Sequence, residues 1–275
     1  MTTEEKPEIG KTADANGIET NYLDAGQGHA VILIHGSGPG VTSYANWRLV
    51  IPALAANFRV LAPDMVGFGY SERPAGIEYG IQTWADQVVG LMDTLQLGTA
   101  HIVGNSFGGA IALRLAVQHP DRVGKLVLMG SMGVPFPITE GLDRVWGYQP
   151  SFENMRKVLD VFAYNRELVN DELAEVRYRG SIQAGFQESF AAMFPAPRQR
   201  WVEAMCSPED DIAKLPHRAL IVHGREDQVI PLQTSFRLLE LIDQADLRVF
   251  SHCGHWSMIE RTSDFNRNVT EFLLG

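Results

Sequence analysis

Short, uninterrupted runs of apolar residues recur along the chain and alternate with longer stretches of helical character. Runs of this kind are typical of strands that are buried on both faces of a sheet. The predicted strands are Val31–Ile34, Arg59–Ala62, Ala100–Val103, Lys125–Met129, Ala219–Val222 and Leu247–Ser251. The predicted helices are Ser43–Ala56, Ile81–Leu97, Ser106–Gln118 and Asp264–Leu273. This alternation predicts an α/β protein with a mostly parallel sheet, right-handed crossovers and helices on both faces.

The segment before the first of these strands has a different pattern. Asn16-Gly17 lies between Lys11–Ala13 and Ile18–Leu23, a segment in which apolar and polar residues alternate. Asn and Gly both tolerate the positive φ that a two-residue type I′ turn requires. The sequence therefore predicts a β-hairpin at this point.

The alternation of strand and helix stops after Ser131. Residues 134–207 contain no clear buried strand, but they have helical patterns rich in Phe, Trp, Tyr and Met, punctuated by proline. We interpret this region as a mostly helical cap inserted between two strands. The predicted division is a core made of residues 1–133 and 208–275, with a cap at residues 134–207. A longer stretch of core helices is the alternative.

Composition excludes several classes of function. The net charge of −10 and the lack of basic runs argue against a nucleic-acid or anionic-membrane partner, and an anionic substrate would need a local cation. Cys206 and Cys253 form no CxxC pair, which indicates a reducing compartment and neither metal nor disulfide chemistry. Met1–Lys11 lacks the apolar core of a signal peptide, and no apolar run reaches the about 20 residues of a membrane span. We expect a cytoplasmic protein.

The run Gly104-Asn105-Ser106-Phe107-Gly108-Gly109 joins a predicted strand to a predicted helix. A serine at the apex of such a turn, flanked by glycines that allow close backbone approach, is typical of a nucleophile elbow. The elbow would hold the Ser106 hydroxyl at the carboxyl edge of the sheet. The alternative is a glycine-rich turn in which Ser106 only caps the helix.

A serine nucleophile needs a base and an acid that orients the base. His255 follows the last predicted strand, and His252 is the alternative base nearer the strand end. Asp227 and Glu226 both follow the strand Ala219–Val222, so either carboxylate could orient an imidazole. The order Ser, acid, His along the chain is that of the α/β-hydrolases.

An acyl-type transition state also needs N–H donors that face the developing oxyanion. The backbone N–H of Phe107, beside the serine, is one candidate. The loop His35-Gly36-Ser37-Gly38-Pro39-Gly40 follows the first buried strand, and its small residues would let the backbone approach a substrate. We therefore expect Ser37 N–H to be the second donor. An ordinary glycine-rich turn is the alternative reading of this loop.

Several motifs together resemble those of the meta-cleavage product hydrolases, which are α/β-hydrolases that break a carbon–carbon bond in ring-fission products of aromatic compounds. The 2-hydroxymuconate semialdehyde hydrolases and their alkyl-dienoate relatives are the most similar in appearance. The resemblance extends over nearly the whole chain, including the cap. The motifs are His35-Gly36-Ser37-Gly38-Pro39-Gly40, Asn46, Gly104-Asn105-Ser106, His223-Gly224-Arg225-Glu226-Asp227 and Cys253-Gly254-His255-Trp256.

The resemblance implies Ser106, Asp227 and His255 as the catalytic triad and a dienoate substrate with a carboxylate beside its enol. It also implies that a cap arginine, Arg177 or else Arg179, binds this carboxylate. Asn46, Asn105 and Trp256 would contact or position the dienoate. No metal or cofactor is implied, and a homodimer or larger homo-oligomer is suggested by the resemblance alone.

Bulky apolar residues are candidates to line the acyl end of such a pocket, although core packing would demand the same residue types. If they do line it, the acyl group is small: formyl, acetyl or a short alkyl. The candidates are Met132, Phe136, Leu142, Trp146, Val202 and Val229. A carboxylesterase or lactonase of the same fold is the alternative function.

Overall fold

The computed structural model describes residues 6–275, and these residues form one sheet of eight strands. The order across the sheet is β1-β2-β4-β3-β5-β6-β7-β8, in which β1/β2 and β2/β4 are antiparallel and all other pairs are parallel. The strands are β1 (Lys11–Asp14), β2 (Glu19–Ala25), β3 (Ala30–Ile34), β4 (Arg59–Pro63), β5 (Ala100–Asn105), β6 (Val123–Met129), β7 (Ala219–Gly224) and β8 (Ala245–Phe250). The predicted α/β class and mostly parallel sheet are confirmed.

Thirteen α-helices lie in the described part of the chain. They are α1 (Ser43–Trp47), α2 (Ile51–Ala55), α3 (Ile81–Thr94), α4 (Phe107–Gln118), α5 (Glu140–Trp146), α6 (Phe152–Phe162), α7 (Asp171–Ser181), α8 (Phe186–Met193), α9 (Gln199–Ala204), α10 (Glu209–Ile212), α11 (Leu232–Leu241), α12 (Ser257–Glu260) and α13 (Thr262–Leu274). Two 3₁₀ turns, Pro120–Arg122 and Arg166–Leu168, complete the helical elements of residues 6–275. Within this range, no helix is both long and apolar enough to cross a membrane.

The predicted hairpin is confirmed by both backbone conformation and pairing. Asn16 and Gly17 have φ values of 59° and 80°, and Asp14 pairs with Glu19 across the turn. Positive φ at both central residues is the requirement of a type I′ turn. The hairpin begins the antiparallel edge of the sheet.

One predicted helix is wrong. The segment Ser43–Ala56 forms two short helices, α1 and α2, instead of one. Pro52 lies in the first turn of α2 and has no N–H to donate to the carbonyl of Arg48, four residues earlier. A continuous helix would lose that hydrogen bond, so the chain begins a second helix instead. The last strand is also shifted, since β8 begins two residues before the predicted Leu247–Ser251 and ends at Phe250.

The helices between β6 and β7 form the region that we predicted to be a cap. No strand interrupts this region, and α5 to α9 fall between residues 140 and 204. Helix α10 follows and packs against α4, a helix of the core. The boundaries at residues 134 and 207 stay predictions.

The strand order reverses beside β3, and this reversal indicates the edge of the sheet at which a ligand is expected to bind. The chain passes from β3 to β4 in one direction and from β4 back past β3 to β5 in the other. Right-handed crossovers therefore place α1 and α2 on one face of the sheet and α3, α4 and α11 on the other. In open α/β sheets, ligands bind outside the carboxyl ends of the strands at such a reversal. The loops after β3 and β5 meet at this point.

Glycines allow β5, α4 and β3 to come this close. A Cβ on Gly104 would lie 2.4 Å from the carbonyl oxygen of Gly108, and one on Gly108 would lie 2.2 Å from the carbonyl oxygen of Ile34. A Cβ on Gly109 would lie 2.1 Å from Ser131 Oγ. Any larger residue would force the strand and the helix apart, so the backbone packing itself selects glycine.

We expect Gly104→Ala to lower the free energy of unfolding by about 1–3 kcal/mol, because the added methyl overpacks the strand–helix contact. Gly98→Ala is the matched control, since nothing lies within 4 Å of its Cβ position. The control should leave stability unchanged or raise it by up to about 1 kcal/mol. Urea unfolding curves of the three proteins test this, and equal stability of Gly104→Ala and wild type would contradict it.

Candidate active site

Ser106 occupies the sharp turn between β5 and α4. Its backbone has φ 55° and ψ −114°, a strained conformation for a residue with a side chain. Three backbone hydrogen bonds hold it there: Ser106 N donates to Met129 O at 2.8 Å, and Ser106 O accepts from Gly109 N and Met132 N. The strained serine between strand and helix has the backbone geometry of a nucleophile elbow.

Asp227 follows β7, and hydrogen bonds fix both of its carboxylate oxygens. Oδ1 accepts from the backbone N–H groups of Val229 and Ile230 at 2.7 and 2.9 Å. Oδ2 lies 2.7 Å from His255 Nδ1. Burial by itself would raise the pKa of Asp227, but the charge of His255 and the contacts with His255 and His223 hold that pKa well below its usual range. The carboxylate is therefore ionised and can orient the His255 ring.

His255 lies in the loop after β8 and is buried, with 2 % of its surface exposed. Its Nδ1 donates to Asp227, which leaves Nε2 as the nitrogen that can act as a base. Ser106 and His255 both border the end of β6. Ser106 N bonds Met129 O, and a Cβ on the next residue, Gly130, would lie 3.2 Å from the His255 ring and 3.3 Å from Asp227 Oδ2.

No hydrogen bond joins Ser106 Oγ to His255 among residues 6–275. In ligand-free enzymes the nucleophile–base hydrogen bond is often long and shortens only when substrate binds. The structure thus brings the acid and the base into direct contact and places the serine beside the same backbone segment, the end of β6. The assignment of the three residues as a triad stays a prediction.

The alternative acid and base lie outside this cluster. The Glu226 carboxylate accepts from Cys253 N at 3.0 Å and pairs with Arg225, so it braces the loop before His255. The exposed His252 has its ring 5.6 Å from that of Tyr164. The geometry therefore favours Asp227 over Glu226 and His255 over His252.

The loop after β3 carries the predicted oxyanion donor Ser37. Neither Ser37 N nor Phe107 N, the first amide of α4, has a hydrogen-bond acceptor within residues 6–275. A Cβ on Gly36 would lie 3.6 Å from Ser106 Cβ, so this loop passes directly beside the serine. Trp146 of the cap donates its Nε1–H to Ser37 Oγ at 2.9 Å, which fixes the loop from the other side. Two free N–H groups close to the serine are the donors that an oxyanion needs.

His35 supports this loop. Burial lowers the pKa of His35 to about 4, so the ring is neutral near pH 7. Its Nε2 accepts from Met65 N at 2.9 Å, and its Nδ1 lies 2.8 Å from Gly36 O. A neutral ring with both nitrogens engaged is not available as a base.

Three of the four predicted substrate-binding residues border one cavity of about 460 Å³ between the core and the predicted cap. Asn46, Arg177 and Trp256 line it, and the Arg177 guanidinium lies 5.9 Å from the centre of the Trp256 ring. Asn105 lies closer to the serine, with its Oδ1 2.9 Å from the Cβ position of Gly36. Neither Ser106 nor His255 lines the cavity, but Trp256, which follows His255 in the chain, does.

Arg177 and Arg179 have different surroundings. Arg179 is exposed and pairs with Glu175 at 2.6 Å, one turn earlier in α7. Arg177 forms no salt bridge among residues 6–275, and its buried Nε has no hydrogen-bond partner there. Burial, and then the charge of Arg48, lower the pKa of Arg177 to about 10, which still leaves it charged at neutral pH. Arg177 is therefore the arginine that is available to a ligand.

Comparison with known proteins agrees with this arrangement. The α/β-hydrolase fold family matches residues 29–262. The chain is 61 % identical over 267 residues to a 2-hydroxymuconate semialdehyde hydrolase of Pseudomonas sp. strain CF600, covering 97 % of this chain and 94 % of that protein. It is 57 % identical over 266 residues to a 2-hydroxy-6-oxo-2,4-heptadienoate hydrolase of Pseudomonas putida strain F1, with coverages of 97 % and 96 %.

A solved structure gives the same result. The crystal structure of a mutant meta-cleavage product hydrolase superposes with a TM-score of 0.97 at 59 % identity, covering 98 % of this chain and 99 % of that one. The chain belongs to the meta-cleavage product hydrolases. The resemblance inferred from the sequence motifs is confirmed at the level of family and fold.

The sequence motifs of this meta-cleavage product hydrolase did not reveal Phe162, at the end of α6. Its carbonyl oxygen accepts from the backbone N–H groups of both His255 and Trp256. Its ring stacks on Trp256 at 4.8 Å and on His255 at 5.8 Å. A phenylalanine in an aromatic-rich cap has no local pattern that distinguishes this position from core packing.

We expect Asp227→Asn to lower kcat of this hydrolase by about 10⁴-fold, because the amide keeps the shape of the acid but not the charge that orients the His255 tautomer. Glu226→Gln is the matched control, since the amide oxygen can still accept from Cys253 N. Steady-state kinetics of the two variants test the assignment. A larger loss for Glu226→Gln than for Asp227→Asn would assign the acid to Glu226.

Proposed function

We propose that this protein is a serine hydrolase of aromatic degradation that cleaves a carbon–carbon bond in 2-hydroxy-6-oxo-hexa-2,4-dienoates. The products would be 2-hydroxypenta-2,4-dienoate and a small carboxylic acid. The names of the two relatives support the reaction class. The observation that carries the proposal is the Arg177 guanidinium, which forms no salt bridge among residues 6–275 and borders a cavity that is also lined by Trp256, the residue after His255.

The carboxylate of the dienoate requires a cation of this kind. The protein has a net charge of −10, so its overall field repels an anion. A planar guanidinium can bind a carboxylate through two parallel hydrogen bonds, and the bonds are strong where water is excluded. Asn46 Nδ2 is also buried without a partner and borders the same cavity. In our proposal these donors bind the carboxylate end, and Trp256 packs against the diene.

The chemistry has two parts. The 2-hydroxydienoate first ketonises, so that the enol proton is lost from O2 and C5 gains a proton. Ser106 Oγ, or a water molecule activated through His255 Nε2, then attacks the C6 carbonyl, and Ser37 N–H and Phe107 N–H stabilise the oxyanion. The C5–C6 bond breaks, its electron pair passes into the conjugated dienolate, and protonation at O2 gives the hydroxydienoate. In the serine route, water then releases the acyl group as the acid.

We infer that the acyl group is small. Trp146 reaches Ser37 Oγ and stacks on Phe194 at 4.2 Å, which brings bulky aromatic groups to the oxyanion loop. The proposed lining residues Met132, Phe136, Leu142, Trp146, Val202 and Val229 are all buried. The two relatives are named for an aldehyde and for a heptadienoate, and both substrates carry small acyl groups.

We expect purified protein to bleach the coloured dienols 2-hydroxymuconate semialdehyde and 2-hydroxy-6-oxohepta-2,4-dienoate much faster than the 6-phenyl analogue, because the acyl end is crowded. Loss of visible absorbance under multiple turnover measures this. Ser106→Ala, which removes the nucleophile, should lower kcat by about 10⁶-fold as in other serine hydrolases. No bleaching of any dienol, together with rapid hydrolysis of a simple ester, would instead make the protein an esterase or lactonase.

We expect Arg177→Gln to lower kcat/KM for the dienoate by about tenfold to a hundredfold, because a charge-assisted hydrogen bond to the carboxylate is lost. Arg179→Gln is the matched control on the same helix, since Arg179 is exposed and pairs with Glu175. An uncharged ester assayed in parallel should be affected little by either variant. Equal effects of the two substitutions on the dienoate would contradict a carboxylate-binding role for Arg177.

A further inference from the structure

His223, near the end of β7, has no assigned role in the chemistry, although it contacts the acid of the proposed triad. It is fully buried, with 0 % exposure. Its Nε2 lies 3.3 Å from Asp227 Oδ2, the oxygen that also accepts from His255, and 3.0 Å from Ile230 O. On the other side of the ring, Nδ1 lies 2.6 Å from Ser235 Oγ of α11. Both ring nitrogens are therefore held by neighbours.

The neighbours determine where the ring carries its proton. Nε2 faces a carbonyl oxygen and a carboxylate oxygen, and both can only accept, so Nε2 must carry a hydrogen. The other tautomer would place the Nδ1–H against Ser235 and the lone pair of Nε2 against two oxygens that can only accept. Ser235 is also fully buried and thereby holds the ring in the orientation that faces Asp227.

The contact with His223 completes the surroundings of the Asp227 carboxylate. Oδ1 accepts from two backbone amides, and Oδ2 receives Nδ1–H of His255. Without His223, the only side-chain donor at Oδ2 would be the catalytic base itself. A second N–H beside this oxygen resists rotation of the carboxylate, because rotation would remove the attraction between the carboxylate charge and the Nε2–H that Ile230 O also accepts.

We propose that His223 is a positioning residue that fixes Asp227 and, through it, the His255 imidazole. Ser235, His223, Asp227 and His255 then form one chain of polar contacts that extends from α11 to the catalytic base. The proposal rests on the proposed function only for the choice of substrate, since any serine-hydrolase reaction at this site would use the same acid and base.

The experiment compares His223→Leu, which removes the donor, with His223→Gln, whose amide can restore an N–H near the position of Nε2. We expect the His223→Leu variant to lower kcat by about tenfold to a hundredfold. This is the range of losses found when a residue that hydrogen-bonds and orients a metal ligand is replaced. KM should change much less than kcat, because His223 does not line the cavity. Gln should recover most of the loss. All rates are divided by the folded fraction obtained from circular dichroism.

Two further variants separate positioning from simple structural damage. His217→Gln is the matched control, since His217 is another buried histidine whose Nε2 bonds a carbonyl oxygen, Pro120 O at 2.9 Å, and it lies outside the site. Its kcat should equal that of wild type. Ser235→Ala releases the far side of the His223 ring and should lower kcat in the same direction as Leu, by a smaller factor. If the His223→Leu variant fails to fold, the His223→Gln and Ser235→Ala variants still decide the outcome.

Proton NMR gives a second readout. The short Asp227–His255 hydrogen bond should produce a strongly downfield Nδ1–H signal that is absent from His255→Gln, and we expect this signal to shift in His223→Leu and return in His223→Gln. An unchanged signal with an unchanged kcat per folded molecule would overturn the proposal, as would an equal loss in His217→Gln. Each variant is assayed on the dienoate and on a simple ester. A protein that hydrolyses only the ester refutes the substrate assignment, while the effects of the His223 variants on that ester still test the positioning role.

Discussion

The backbone hydrogen bond from Ser106 N to Met129 O is the contact on which the geometry of this site depends. It ties the strained turn after β5 to the end of β6, and the next residue, Gly130, borders His255 and Asp227. The same turn places Phe107 N at the start of α4, next to the loop after β3. One backbone contact therefore fixes the predicted nucleophile relative to the predicted base and the predicted oxyanion donor. The glycines of the elbow are needed because the strand and helix are too close for Cβ atoms.

A second set of backbone contacts joins the cap to the base. The carbonyl of Phe162 accepts from the N–H groups of His255 and Trp256, and the carboxylate of Glu260 accepts from Gly254 N and Asn165 N. The segment after α6 and the loop that carries His255 are thus held as one unit. A shift of this segment would move both the wall of the cavity and the imidazole of His255.

Electrostatics separate the two ends of the site. At one end, Asp227 is a buried anion whose charge is balanced by donors from the backbone and from two histidines. At the other end, Arg177 is a half-buried cation that forms no salt bridge among residues 6–275, in a protein that is acidic as a whole. Burying an unpaired charge is costly, and such a charge is typical of a site that binds an ion of the opposite sign. In the function that we propose, the difference between the two ends gives a substrate with one carboxylate a single favourable orientation.

Local sequence patterns were enough to predict the sheet, the Asn16-Gly17 hairpin and the Ser106 turn, because apolar periodicity and positive-φ residues act over a few neighbouring positions. The break in Ser43–Ala56 was also encoded locally, by Pro52, but the hydrophobic pattern concealed it. The choices between Asp227 and Glu226, between His255 and His252, and between Arg177 and Arg179 required the tertiary structure. Members of each pair lie one to three residues apart, and only the direction of each side chain from its loop or helix separates them. The contacts of Phe162 join segments that are distant in sequence. Those of His223 depend on how the loop after β7 folds back on that strand. No spacing along the chain could therefore have revealed them.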